Sequence, residues 1–180
     1  PKLATTFLVV GIAMHLGLGA LARSGAVHGG VAASIAAISQ MGLMVWCIGL
    51  GGLLGAGLIK EQNLLIPVSI FLIAFDIFLV LTPVGVVQKV LVAAPQVFTS
   101  VAYVVPKASS TTTIGPVGAA AYIGPADFIF MAMFFVGMYR FGMNPKGTLI
   151  ALIPTLILYL GAVFLLGPLP ALPPIALCVL

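Results

Sequence analysis

The chain has 180 residues, of which 62% are hydrophobic and 6% are charged, and its formal net charge is +4. A soluble domain carries roughly 25% charged residues because water must solvate its surface, so this composition excludes a soluble globular protein. The seven lysines and arginines are scattered singly near the ends of apolar stretches, which gives no indication of a nucleic-acid partner. The composition predicts a protein whose surface is covered mostly by the lipid bilayer.

Apolar segments long enough to cross a bilayer follow one another along the chain. A hydrocarbon core of about 30 Å requires roughly 20 helical residues. The sequence therefore predicts an all-α fold, a polytopic bundle of transmembrane helices that forms a single integral membrane domain over residues 1–180. Five full spans are predicted near 3–22, 31–58, 64–88, 118–139 and 148–167, with a short sixth helix near 169–180. The longest interruption is a loop at 89–117.

Several features within this pattern leave alternatives open. Gly51 and Gly55 lie four residues apart in the second span, and small residues at that spacing allow two helix backbones to approach closely, either in ordinary packing or in a dimer. The loop at 89–117 is compatible with an interfacial helix or with a short pair of strands. His15, deep in the first span, is interpreted as a neutral, hydrogen-bonded packing residue.

Two of the three acidic residues lie inside predicted spans. Asp76 is at the centre of the third span and Asp127 is in the fourth, whereas Glu61 belongs to a polar break between spans. An ionised carboxylate at the centre of a bilayer costs at least ~2.5–3.5 kcal/mol on insertion scales, so such residues face a protein interior or a water-filled cavity. Asp76 and Asp127 are therefore the candidates for chemistry.

The two aspartates are predicted to lie at similar depth. Consecutive spans run antiparallel, and counting inward from the shared loop places Asp76 about 12 residues deep and Asp127 about 9, which is roughly 18 and 14 Å of helix. Two carboxyl groups in contact share one proton, so that one acts as a base and the other as an acid. Such a pair can activate a water molecule and polarise a peptide carbonyl. This chemistry requires no metal and no cofactor.

Three short motifs occur in a recognisable order. Phe75-Asp76 lies in the third span, Gly124-Pro125-Ala126-Asp127 in the fourth, and Pro170-Ala171-Leu172-Pro173 near the end. This arrangement resembles the presenilin and signal peptide peptidase family of intramembrane aspartyl proteases, which has an aromatic-Asp pair, then Gly-x-Gly-Asp, then Pro-Ala-Leu. The resemblance covers roughly residues 64–180, so that the chain as given is shorter than the family at its N-terminal end.

The resemblance implies an enzyme that cleaves transmembrane helical peptides within the bilayer. It implies that Asp76 and Asp127 are the catalytic pair, and that substrate is positioned by Pro170, Ala171, Leu172 and Gly124. Two positions depart from the family pattern: Phe75 replaces the usual tyrosine, and Ala126 replaces the second glycine. A degenerate, inactive relative is therefore an alternative.

Two further functions are compatible with the same residues. In the first, the chain is a non-catalytic subunit or an assembly factor of a membrane complex and has other membrane subunits as partners. In the second, it is a proton-coupled transporter or channel. The substitution at Ala126 favours the subunit. Helices interrupted by glycine and proline suit a transporter, in which the two aspartates would relay protons.

Overall fold

The computed structural model describes residues 2–82, 93, 102–106, 119–166 and 171–178. These residues are predominantly helical, with one two-stranded ribbon. In chain order the elements are α1 (Lys2–Arg23), α2 (Gly29–Leu58), a 3₁₀ turn (Gln62–Leu64), α3 (Leu65–Leu81), β1 (Tyr103–Pro106), β2 (Ala119–Ile123), α4 (Pro125–Arg140), α5 (Pro145–Leu166) and α6 (Leu172–Leu177).

Four helical segments are long and apolar enough to cross a membrane. They are Lys2–Arg23, Gly29–Leu58, Gln62–Val80 and Pro145–Val163. Large apolar side chains such as Leu3, Phe71 and Leu158 are exposed on these helices, an arrangement that is unfavourable in water and typical of surfaces that meet lipid or another protein. The prediction of a helical fold with apolar spanning helices is confirmed to this extent.

The observed bounds match the sequence prediction at some elements and differ at others. The helices predicted at 3–22, 31–58 and 148–167 appear as α1, α2 and α5 with ends within three residues of the predicted ones. In the third predicted span, helix α3 ends at Leu81 because Thr82 takes an extended conformation, and 83–88 lie outside the described residues. The predicted sixth helix is shorter than expected within the described part of the chain, at Leu172–Leu177.

The fourth predicted span is wrong at its start. Residues 119–123 form strand β2, which pairs antiparallel with β1 so that Tyr103 lies opposite Ile123, and helix α4 begins only at Pro125. The pairing corresponds to the strand-pair alternative for the end of the long loop. Helix α4 has 16 residues, about 24 Å of helix, which is shorter than a hydrocarbon core of about 30 Å.

Helix α2 is held between α1 and α4 by glycines. A Cβ atom added at Gly42 would lie 2.7 Å from the backbone nitrogen of His15 in α1, and one added at Gly55 would lie 2.7 Å from the carbonyl oxygen of Met133 in α4. Gly51 likewise faces the carbonyl oxygen of Ile129. The backbones therefore approach more closely than any side chain would permit, and Gly51 and Gly55 pack within the chain.

Polar side chains also link α2 to its two neighbours. The Ser39 hydroxyl donates a hydrogen bond of 2.8 Å to the carbonyl oxygen of His15, and His15 Nδ1 lies 3.0 Å from the carbonyl oxygen of Ser39. His15 is thus hydrogen-bonded between α1 and α2. At the end of α2, Arg140 donates to the carbonyl oxygens of Ala56 and Ile59 at 2.9 and 3.2 Å, which supplies partners for the carbonyls that end a helix unpaired.

The core that carries the aspartates is built from α3, α4 and α6. Its buried side chains come from the α2–α3 connection and from these three helices: Ile59, Leu65, Leu72, Met133, Phe134, Met138, Leu172 and Ala176. The short helix α6 packs chiefly on α3 and also contacts α5 and α4. Through this core α6 brings the Ala171-Leu172 segment against α3.

Candidate aspartate pair

Asp76 lies on the face of α3 that meets the start of α6. Its Oδ2 atom accepts a hydrogen bond of 2.8 Å from the backbone N–H of Leu172, and the backbone of Ala171 provides a second hydrogen bond. The buried side chains of Leu72 and Leu172 pack in the same core, so the carboxyl group is fixed by backbone donors that are themselves held by packing. The side chain of Asp76 is partly buried.

Asp127 lies in the first turn of α4, immediately after the β-ribbon. The backbone N–H of Gly124 donates to Asp127 Oδ2 at 3.2 Å, and the N–H of Asp127 donates to the Gly124 carbonyl oxygen at 3.2 Å. Pro125 occupies the start of the helix, where its missing N–H costs nothing and its fixed φ suits a helix. The prediction that Asp127 lies within the fourth helix is corrected to a position at the helix N-terminus, where the helix dipole favours a carboxylate.

The two aspartates lie at the same level of the bundle. Leu65 of α3 packs against Gly137 of α4, where an added Cβ would meet Leu65 Cδ2 at 3.2 Å. Asp76 lies 11 residues after Leu65 and Asp127 lies 10 residues before Gly137, which corresponds to about 16 and 15 Å of helix. Asp76 also interacts electrostatically with Asp127, so α3 and α4 run antiparallel with the two side chains on the same side of the Leu65–Gly137 contact.

We call Asp76 and Asp127 the aspartate pair. Each carboxyl group has one oxygen held by a backbone N–H, which fixes its orientation without neutralising its charge. The third acid, Glu61, precedes the 3₁₀ turn and therefore lies at the far end of α3. Within the described residues no group of three or more histidine, cysteine, aspartate or glutamate side chains is gathered in one place.

The other residues predicted at the site fall into three groups. Ala171 and Leu172 contact Asp76 through their backbone, and Gly124 contacts Asp127 through its N–H. Pro170 lies outside the described residues.

The two positions that depart from the family pattern both point outward. Phe75 is exposed and stacks on Phe71, with ring centroids 5.8 Å apart. Ala126 is exposed in the first turn of α4, so its methyl group lies on the outer side of the helix. Both side chains therefore lie on exposed surfaces of their helices.

Sequence reasoning did not find Tyr159 of α5. Its phenol interacts electrostatically with both Asp127 and Asp76, and its side chain is partly buried. Nothing in the apolar sequence of α5 distinguishes this tyrosine, because the faces of a uniformly apolar helix cannot be told apart from its sequence.

Comparisons with protein-family models, with curated proteins and with solved structures gave no match to this chain.

Proposed function

We propose that this chain is a multi-pass integral membrane protein and an intramembrane aspartyl protease of the presenilin type. The observation that carries the proposal is the aspartate pair: the only two aspartates in the chain lie at one level on antiparallel helices and interact through their charges. Paired carboxyl groups away from bulk water are unfavourable unless they share a proton, and sharing a proton makes them an acid and a base.

The membrane topology that supports this function has five crossings. Four helices are long enough by themselves. Helix α4 supplies about 24 Å, and strand β2, which leads directly into it, completes the fifth crossing. In this proposed topology Asp127 lies below the membrane surface at the depth of Asp76, with the ribbon between it and the surface.

The chemistry follows from a pair that holds one proton. The ionised carboxylate removes a proton from a water molecule, and the water oxygen bonds to the carbonyl carbon of the peptide. The protonated carboxyl group gives its proton to the carbonyl oxygen, which forms a neutral gem-diol. In the collapse of the gem-diol, the carboxyl group that took the proton from water gives it to the leaving nitrogen and the C–N bond breaks. One hydroxyl of the gem-diol gives its proton to the other carboxylate as the new carboxylic acid forms, so the pair again holds one proton.

The backbone donors give the other predicted site residues their roles. Leu172 and Ala171 hold Asp76, and Gly124 holds Asp127. These residues therefore orient the carboxyl groups, and through them the bound peptide. Hydrogen bonds to charged groups contribute roughly 1.5–3 kcal/mol each, enough to restrict the rotation of each carboxyl group.

The test is cleavage of a transmembrane helical peptide by the purified protein in lipid. Asp76→Asn and Asp127→Asn should each abolish cleavage, because an amide keeps the shape but neither accepts the proton from water nor shares one. Glu61→Gln is the matched control, since it removes the third acid of the chain, and it should leave cleavage unchanged. Cleavage should be fastest from acidic to neutral pH, because the pair works with a single proton.

Other outcomes would point to the alternatives. Proton or ion flux that depends on both aspartates, without cleavage of any peptide, would favour a transporter or channel. A chain that cleaves nothing and is isolated only in a larger assembly would be a non-catalytic subunit.

A further inference from the structure

Helices α5 and α6 form an antiparallel hairpin. The Cys178 thiol lies 3.5 Å from the Thr155 hydroxyl, so the end of α6 contacts the middle of α5. Leu166 and Ala171 are separated by five peptide units, which span at most about 18 Å. If the helices ran parallel from the Thr155–Cys178 contact, Leu166 and Ala171 would be about 27 Å apart. The connecting chain cannot span that distance, so the helices run in opposite directions.

This geometry places Tyr159 at the start of α6. Tyr159 lies one turn beyond Thr155 on the same face of α5, because residues four apart share a helix face. From Thr155 to Tyr159 the distance along α5 is about 6 Å, in the direction of the Leu172 end of α6. Leu172 lies about 9 Å from Cys178 along α6. Tyr159 is therefore level with the first turn of α6, where the N–H of Leu172 bonds to Asp76.

The surroundings of Tyr159 contain both carboxyl groups. Its phenol interacts electrostatically with Asp127 and, less strongly, with Asp76. Among the described residues, the titratable groups placed near it are Asp127 on α4, Asp76 on α3 and Cys178, which contacts Thr155 one turn away, whereas Tyr139 and Arg140 lie at the far end of α4. A phenol is protonated at neutral pH and donates a hydrogen bond to a carboxylate.

We propose that Tyr159 is a positioning residue of the aspartate pair, and that its hydroxyl donates a hydrogen bond to the carboxylate that faces α5. The proposal rests on the proposed function for its effect on cleavage, but the hydrogen bond itself exists or does not exist regardless of cleavage. The site would then include a third polar side chain, the Tyr159 phenol of α5, whereas the sequence motifs lie only on α3, on α4 and in the last segment.

The composition of the chain allows a direct measurement of this contact. The chain has only two aspartates and four tyrosines, so labelling with ¹³Cγ-aspartate and ¹³Cζ-tyrosine gives a solid-state NMR spectrum in lipid with few signals. A hydrogen bond between phenol and carboxylate places these two carbons about 4 Å apart. We expect a cross-peak between one tyrosine and one aspartate that disappears in Tyr159→Phe. The cross-peak should persist in Tyr103→Phe and in Tyr139→Phe. The Tyr139 side chain is 81% exposed and lies at the other end of α4.

Cleavage provides a second readout. Because a hydrogen bond to the ionised form stabilises that form, Tyr159→Phe should move the acid limb of the cleavage–pH profile to higher pH by about one unit, the equivalent of a tenfold change. A merely structural role would lower activity at every pH and leave the limb where it is. Tyr139→Phe should reproduce the wild-type profile.

The outcomes separate this proposal from the protease proposal. A wild-type spectrum without a tyrosine–aspartate cross-peak, or a cross-peak that survives in Tyr159→Phe, would overturn the role of Tyr159 even if the protein cleaves peptides. A cross-peak that depends on Tyr159, in a protein that cleaves nothing, would support the hydrogen bond and reject the protease. A wild-type spectrum without the cross-peak overturns the role of Tyr159 even if Tyr159→Phe fails to fold.

Discussion

The packing of α2 on α4 predicts that one added methyl group disturbs the aspartate pair. A Cβ atom at Gly51 would overlap the carbonyl oxygen of Ile129 and lie 2.8 Å from Ala132 Cβ, whereas ordinary contacts begin at 3.4 Å. Helix α4 must therefore move away by roughly 1 Å, and a displacement of that size at reacting groups can cost about 100-fold in rate. Ile129 follows Asp127 by only two residues, so the shift reaches the carboxyl group.

The assay compares Gly51→Ala with Gly57→Ala, whose added Cβ meets no atom within 4 Å. Overpacking should destabilise the Gly51 variant by about 1–3 kcal/mol, while the Gly57 variant should gain up to about 1 kcal/mol from helix propensity. Both are measured by thermal unfolding in detergent and by peptide cleavage. Equal stability and equal cleavage in the two variants would refute the close approach of α2 and α4, and with it the argument that α2 positions Asp127.

Three further predictions concern single contacts. Arg140→Met should lower stability by about 1–2 kcal/mol, because two terminal carbonyls of α2 lose a charged donor; an unchanged unfolding midpoint would contradict this. Gly124→Pro removes the N–H that bonds to Asp127 while keeping a backbone φ of −71° that proline adopts, so cleavage should fall roughly tenfold or more. Gly124→Ala keeps the N–H and has space, so it should cleave normally, and equal losses in both variants would reject the hydrogen bond. Ala126→Gly should lower stability by at most about 1 kcal/mol without increasing cleavage, since this residue is exposed, and a gain in cleavage would show that the methyl group obstructs the site.

The sequence was sufficient for the long helices and insufficient where the chain changes from strand to helix. Helices α1 and α2 each fill the thickness of a bilayer with apolar residues, and hydropathy predicts them closely. The segment from Ala119 to Ile123 is also apolar, and a short apolar run does not reveal whether it is strand or helix. Gly124-Pro125 is a typical start of a helix, so the sequence contains the boundary, although the apolar length of the whole segment favours a longer helix.

The site was predictable to the extent that it depends on charged side chains. Asp76 and Asp127 stand out because a carboxyl group is costly in an apolar segment, and counting residues placed them at a similar depth. The donors that hold them are backbone N–H groups of Leu172 and Gly124, which every residue except proline possesses. The resemblance of their motifs names Leu172 and Gly124 as site residues, but the type of a side chain does not show which backbone N–H donates. The two hydrogen bonds become visible only in the folded structure.

Interruptions of regular helix meet at the level of the aspartate pair. Strand β2 gives way to α4 just before Asp127, and α6 begins at Leu172 beside Asp76. The first N–H groups of a helix have no partner within it, and unpaired backbone groups in hydrocarbon cost several kcal/mol each. Here the carboxyl groups accept hydrogen bonds from this interrupted backbone, so the same interactions stabilise the broken elements and orient the aspartates. In the proposed topology these breaks lie at membrane depth, where irregular backbone is tolerated only beside protein or a water-filled cavity. Such a setting favours the entry of the water molecule that the proposed hydrolysis consumes.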